Sequence, residues 1–366
     1  MFVKWQFLVL GAIPVISAYP SSVAKSKGDF EWDSTKYLFV FALISYSTLR
    51  AGREEVTDIY IRIAFGDSYT YVQGTDGLQN YSFIGDLQNF AYDPHTLLTD
   101  KIVQNQTATA EGGPNWVEYL TGCGLEEGLT SPFDCEQQLW DFAFAGSDIS
   151  VEYTPLHHNF TVSLVNQVKQ FNDYAQPVLK KTIDQSHALV AIWIGINDIG
   201  DSSKYDVDFP IFYNELMNTL FSSVQTIYSQ GYRSYLFMNL PPLDRRPGNL
   251  GSADPSPNAT QITWYNDALA QHASAFHDRY ADSNVMLFDA HSELTYILDH
   301  PSEFGIVNIT NFCAGYDQPD IAWNYQAYGC PTPLDTYFWY NSGHMTSHVH
   351  EILAGAVERK LQKWSG

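Results

Sequence analysis

Four short blocks carry the residues that could do chemistry. They stand in the order "FGDSYT" at 65–70, "FAFAGSDIS" at 142–150, "IGIND" at 194–198 and "NSGHMTSHVH" at 341–350. Gly66-Asp67-Ser68 offers a hydroxyl, and the last block offers three imidazoles, His344, His348 and His350. A serine hydroxyl is a poor nucleophile until a neighbouring base takes its proton. Serine plus histidine therefore points to acyl transfer. Each residue also has a plainer role. Ser68 can cap a following helix, Gly146 can serve a turn that needs positive φ, and Asn197 can close an Asx-turn. His157-His158 reads as a paired surface feature.

Such groups need elements that bring them together. Ile61 to Phe65 reads as a strand running straight into Gly66-Asp67-Ser68. The spacing of Val165, Val168 and Phe171 predicts a helix over 162–179. His187 to Ile194 is a continuous apolar run, as expected for a strand buried on both faces, and it ends at Gly195-Ile196-Asn197-Asp198. Helices follow over 212–229, 262–280 and 348–361, with strands at 235–239 and 285–288 between them. Strands alternating with helices predict a mostly parallel sheet covered on both faces. In such sheets, sites gather beyond the carboxyl ends of the strands. Ser68 and Asn197 both follow predicted strands and meet at that edge.

Together and in this order, the four blocks resemble those that define SGNH (GDSL) hydrolases. The resemblance runs from about residue 63 to 356. The phrases "QLWDFAFAG" and "YFWYNSGH" and the cysteine layout are similar to fungal secreted members. Some of those are grouped as carbohydrate acetylesterases (carbohydrate esterase family 16), others as GDSL lipases or acylhydrolases. The resemblance implies a three-layer α/β/α sandwich of flavodoxin-like type. It implies Ser68 as nucleophile and His344, after Gly343, as base. It gives the oxyanion to the N–H groups of Ser68 and Gly146 and the Asn197 amide. Removing one such donor typically costs ~10²–10³ in turnover. No metal or organic cofactor is expected. The expected substrate is a small ester or an acetylated plant-wall oligosaccharide.

Two departures stand out. The family places Asp three residues before the histidine, where this chain has Asn341, and Met345 stands where proline often follows. The usual Asp stabilises the charged imidazole. Here Asn341, a backbone carbonyl or Asp335 from the preceding loop could orient His344. The second departure is the stretch 39–62, which interrupts "STKYL" and "IAFGDSYT". It reads as a translated intron or a genuine insertion.

Composition narrows the rest. The 366 residues are 45% apolar and 16% charged, enough for a large core in one domain or two. The formal charge is −22 and the pI near 4.6, which disfavours nucleic acid and polyanionic substrates. Met1 to Ala18 reads as a signal peptide whose apolar run, Phe7 to Ile16, is too short to span a bilayer. Residues 19–60 form a leader, and 61–366 form the catalytic domain. The expected product is a secreted, extracellular monomer without a membrane anchor. In an oxidising compartment, proximity pairs Cys123 with Cys135 and Cys313 with Cys330, out of three possible pairings. Sequons stand at Asn80, Asn105, Asn159, Asn258 and Asn308. Two rivals remain. One is a lipase or phospholipase, with 39–44 as an apolar lid. The other is a non-catalytic carbohydrate-binding homologue, favoured by Asn341 and the many aromatics.

Overall fold

The computed structural model describes residues 61–84 and 93–364. The expected signal peptide, the leader and the lid at 39–44 lie outside the described residues, as does the 39–62 stretch apart from its last two residues. Those two, Ile61 and Arg62, open the first strand.

Five parallel strands make the main sheet: β1 (Ile61–Gly66), β2 (Gln138–Asp141), β3 (Ala188–Trp193), β4 (Ser234–Met238) and β5 (Asn284–Phe288). Their spatial order is β2-β1-β3-β4-β5. All six residues of β3 are buried, which explains the unbroken apolar run that marked it. The chain leaves β1 toward β2 and then returns to place β3 on the other side. That reversal is the switch point where open α/β sheets hold their ligands. Gly66 pairs with Trp193, so β1 and β3 end side by side.

Two helical groups flank the sheet. In one, α2 (Leu164–Gln170), α4 (Phe209–Ser229) and α5 (Ala259–Arg279) pack together. In the other, α7 (Ser347–Trp364) packs on α1 (Trp116–Thr121) and α6 (Ala290–Asp299). The short α3 (Ile196–Ser202) follows β3. Local chemistry sets the starts. Asp208 accepts from Ile211 N–H to begin α4, and Asn258 forms a capping box with Gln261 to begin α5.

Several expectations need correction. The helix expected over 162–179 starts at Leu164 and widens into a π turn over Phe171–Ala175 before its last turn. Pro177 has no N–H to give there, and Phe171 packs edge-on against Phe65 and Phe142. No helix follows Ser68: the chain makes a tight turn, with Thr70 and Tyr71 N–H both donating to the Asp67 carbonyl. Tyr69, Thr70 and Tyr71 are too bulky or β-branched to favour a helix start, and all three are buried. Strand β2 went unread because its four residues mix Gln and Asp with Leu and Trp. A small antiparallel sheet of Gln73–Gly74, Ile102–Gln104 and Gly128–Thr130 also went unread. Both disulfides, Cys123–Cys135 and Cys313–Cys330, have the pairing expected from proximity. Among the described residues, no helix is long and apolar enough to cross a membrane.

Candidate active site

The ends of β1, β2 and β3 converge with a loop that precedes α7. Ser68 sits two residues past β1, in the turn that Asp67 closes through its carbonyl. The Asp67 carboxylate accepts from Tyr69 N–H at 3.0 Å. Burial raises its pKa to about 7, against the pull of that bond and of His157. Tyr69 lies beneath, its hydroxyl donating to the Gly343 carbonyl and its ring 5.3 Å from the His344 ring. The residue after the serine therefore grips the residue before the histidine.

His344 Nε2 stands 2.8 Å from Ser68 Oγ. On the far side of the ring, Nδ1 stands 3.0 Å from Asn341 Oδ1. That oxygen also accepts the backbone N–H groups of Gly343 and His344, each at 2.9 Å. Two backbone donors can meet only an acceptor, so they hold the amide with its oxygen toward the imidazole. An oxygen facing Nδ1 requires the proton on Nδ1 and leaves Nε2 bare to accept from Ser68. Burial, with the positive Arg246 nearby, lowers the His344 pKa to about 4. The ring is thus neutral near pH 7 and ready to take a proton.

The other two histidines of this block go elsewhere. His348 bonds the Phe304 carbonyl at 2.9 Å. His350 is buried and accepts Trp116 N–H at 3.2 Å. Asp335 lines a separate cavity and does not reach His344.

Gly146 follows β2 by way of Phe142 and Phe144, whose N–H groups continue the ladder onto Ala64 and Gly66 carbonyls. Its φ is +77°, and an added Cβ would lie 3.3 Å from His157 Cβ. Glycine suits both constraints. Among the described residues, the N–H groups of Ser68 and Gly146 have no protein acceptor. Asn197 sits in the first turn of α3 and donates one amide hydrogen to the Ser147 carbonyl at 2.9 Å. It closes no Asx-turn, and its second hydrogen is free for a ligand. The structure therefore brings Ser68, His344, Asn341 and Asn197 to one locus, with Gly146 at its wall beside His157.

Sequence reasoning did not single out the residue that ties these loops together. Gln167, on α2 and fully buried, accepts from Gly66 N–H at 3.1 Å and donates to Gly66 O at 2.8 Å and Ser147 Oγ at 2.9 Å. No local motif marks it. His157 is also at the site: with Ser68, Asn197, Asp201 and Arg246 it lines an open cleft of about 480 Å³. Its Nε2 meets Asp201 at 2.7 Å, and that bond raises its pKa. Its neighbour His158 stacks on Phe160 instead. Asp148, His157 and Asp201 offer ligand atoms within 4.8 Å of one another, the one grouping among the described residues able to hold a metal ion. The chemistry that Ser68 and His344 can perform does not pass through it.

Known proteins bear on this geometry. The family model described as GDSL-like Lipase/Acylhydrolase matches residues 63–357. An acetylesterase of Thermothelomyces thermophilus is 26% identical over 269 residues, which cover 70% of this chain and 77% of that protein. GDSL esterase/lipase 5 of Arabidopsis thaliana is 22% identical over 366 residues, covering 91% of this chain and 89% of its own. A second Arabidopsis thaliana protein, GDSL esterase/lipase APG, is 24% identical over 240 residues, 59% of this chain and 67% of its own.

Proposed function

The chain belongs to the GDSL-like lipase/acylhydrolase family and is a carboxylic ester hydrolase; on that premise we propose that it removes short acyl groups, acetyl foremost, from neutral carbohydrate through an acyl-enzyme on Ser68. One observation carries the mechanism: His344 Nε2 lies 2.8 Å from Ser68 Oγ, with Asn341 fixing the ring from behind.

His344 takes the Ser68 proton as Oγ attacks the ester carbonyl. The Ser68 and Gly146 N–H groups and the free Asn197 amide hydrogen receive the oxyanion. His344 returns the proton to the leaving alcohol. Water, deprotonated by the same imidazole, then releases the acid and restores Ser68. Asn341 contributes orientation and no charge. In a Ser-His-Asp triad, replacing Asp by Asn costs about 10⁴ through the wrong tautomer. Here the two backbone donors to Asn341 Oδ1 oppose that tautomer, which supports an active site over a silent one.

The acetylesterase relative supports the short acyl chain. The charge of −22 supports a neutral substrate, since a surface this acidic repels polyanions. The two disulfides are compatible with an extracellular, oxidising setting. In this reading the protein is secreted, monomeric and free of nucleic-acid or membrane partners.

The test is hydrolysis of 4-nitrophenyl acetate, butyrate and octanoate, with Ser68→Ala in parallel. We expect acetate to be preferred and Ser68→Ala to lose on the order of 10⁴–10⁶-fold in kcat, the range seen when members of a serine triad are removed. Octanoate preference would favour the lipase reading that the plant relatives' names suggest. Equal, negligible rates in both proteins, with no fluorophosphonate labelling of Ser68, would favour a binding protein.

A further inference from the structure

Next to the catalytic cleft lies a second, larger cavity of about 750 Å³. The two adjoin across Asn249, which lines both. The loop carrying Arg246 and Gly248 to the cleft also brings Leu250 and Pro255 to the cavity. Asn249 is buried and fully engaged: its amide donates to the Leu243 carbonyl and its oxygen accepts Ser256 N–H. The wall between the two spaces is therefore fixed in place.

Two aromatic side chains line the cavity. Trp264 on α5 and Phe209 at the start of α4 stack with ring centroids 6.3 Å apart and planes 18° apart. Phe209 is partly buried, whereas Trp264 keeps 38% of its surface exposed. Asp244 and Thr260 line the same space, and among the described residues neither the carboxylate nor the hydroxyl has a protein hydrogen-bond partner.

That combination selects a chemistry. A fatty chain would cover the indole but strip water from Asp244 without replacing its hydrogen bonds, which is costly. An anionic ligand would meet Asp244 in a chain already carrying −22. A pyranose ring fits both parts. Its C–H face is apolar and flat enough to lie on an indole, and its edge carries hydroxyls that donate to a carboxylate. We propose that the Trp264–Phe209 cavity is a subsite for a neutral sugar ring of the ester's alcohol portion, with Asp244 and Thr260 bonding its hydroxyls. This rests on the carbohydrate esterase reading above and adds the place where the glycan beyond the cleavage point is held.

Two measurements test it. The first is independent of turnover: calorimetric titration of Ser68→Ala with unacetylated xylo-oligosaccharide, repeated in the Ser68→Ala background with Trp264→Ala, Trp264→Phe and Asp244→Asn. We expect binding in the parent, about tenfold weakening by Trp264→Ala, as for loss of an aromatic anchor, near-parental binding for Trp264→Phe, and weakening by Asp244→Asn. No binding to the parent would overturn the subsite even if the enzyme proves an active esterase. The second is kinetic. Trp264→Ala should lower kcat/KM for acetylated xylo-oligosaccharide about tenfold more than for 4-nitrophenyl acetate. Equal fractional losses on both substrates would assign Trp264 a structural role and overturn the proposal. A loss concentrated on 4-nitrophenyl octanoate would make the cavity an acyl groove and overturn it as well. If neither ester is hydrolysed but the sugar still binds through Trp264, the esterase reading fails and the subsite stands.

Discussion

In the proposed mechanism Asn341 orients the His344 ring with a neutral oxygen, where a triad carboxylate would also supply a negative charge. Burial, with Arg246 close by and no negative charge to offset it, lowers the His344 pKa to about 4. The base is neutral above that value and protonated below it. The acid limb of kcat/KM should therefore lie near pH 4, well under the ordinary histidine value near 6.5. Asn341→Asp puts a negative charge beside Nδ1, stabilises the protonated ring and should move that limb upward, which a pH–rate profile of 4-nitrophenyl acetate hydrolysis would record. A limb that stays put would mean that Asn341 does not govern the base. Asn341→Leu removes the acceptor for Nδ1 and should cut kcat toward the ~10⁴ loss that a wrong tautomer brings. Ser68 and His344 were legible in the chain because their neighbours form recognisable blocks. Asn341 was legible only as a departure. Three residues of spacing left open which group would face the ring, and what decides it is a turn whose own N–H groups hold the amide oxygen.

At the scale of elements, α2 matters to the site through one side chain. Gln167 joins the end of β1 to the loop after β2, so it sets the spacing between Ser68 and the Gly146–Ser147 turn. Gln167→Leu keeps the size but leaves Gly66 N–H and Ser147 Oγ without these partners in a dry interior. We expect a stability loss of about 1–3 kcal/mol in denaturant unfolding, the cost of a buried unsatisfied group, together with a fall in kcat. An unchanged midpoint with full activity would show that the β1–β2 spacing is set elsewhere. The strands at 61–66, 188–193, 234–238 and 284–288 could be read from the sequence because sustained apolar runs and the breaks after them are local signals. Strand β2 could not be read, because its register comes from pairing with β1 and not from its own four residues. The π turn at 171–175 escaped for a similar reason: it answers to Phe65 and Phe142, more than a hundred and nearly thirty residues away in the chain. Gln167 and the His157–Asp201 pair belong to the same class, being contacts that only tertiary structure creates.

For the whole molecule, the balance of buried charge predicts an acid-tolerant protein. Burial raises the pKa of Asp67 and Asp198 to about 7 and of Asp100 to about 6, and pushes Glu111, Glu118, Asp141 and Asp148 up as well. A carboxyl whose folded pKa is raised keeps its proton while the unfolded chain has lost it. Its stabilising effect is complete below about pH 4 and is lost as pH rises through the folded value. His344 and His350 act in the opposite sense, since buried neutral rings resist protonation as pH falls below about 6.5. The carboxyls outnumber them, and protonating surface acids also relieves the repulsion of a chain at −22. The thermal midpoint should thus be higher near pH 5 than near pH 8 in a pH series of melting curves, and a midpoint that rises toward pH 8 would refute this balance. Ser68 and His344 are separated by 276 positions. A ribosome therefore exposes the serine long before it has made the histidine. Throughout that interval the growing polypeptide carries the hydroxyl without its partner imidazole, so in the proposed mechanism hydrolysis begins only when the loop ahead of α7 has emerged and docked.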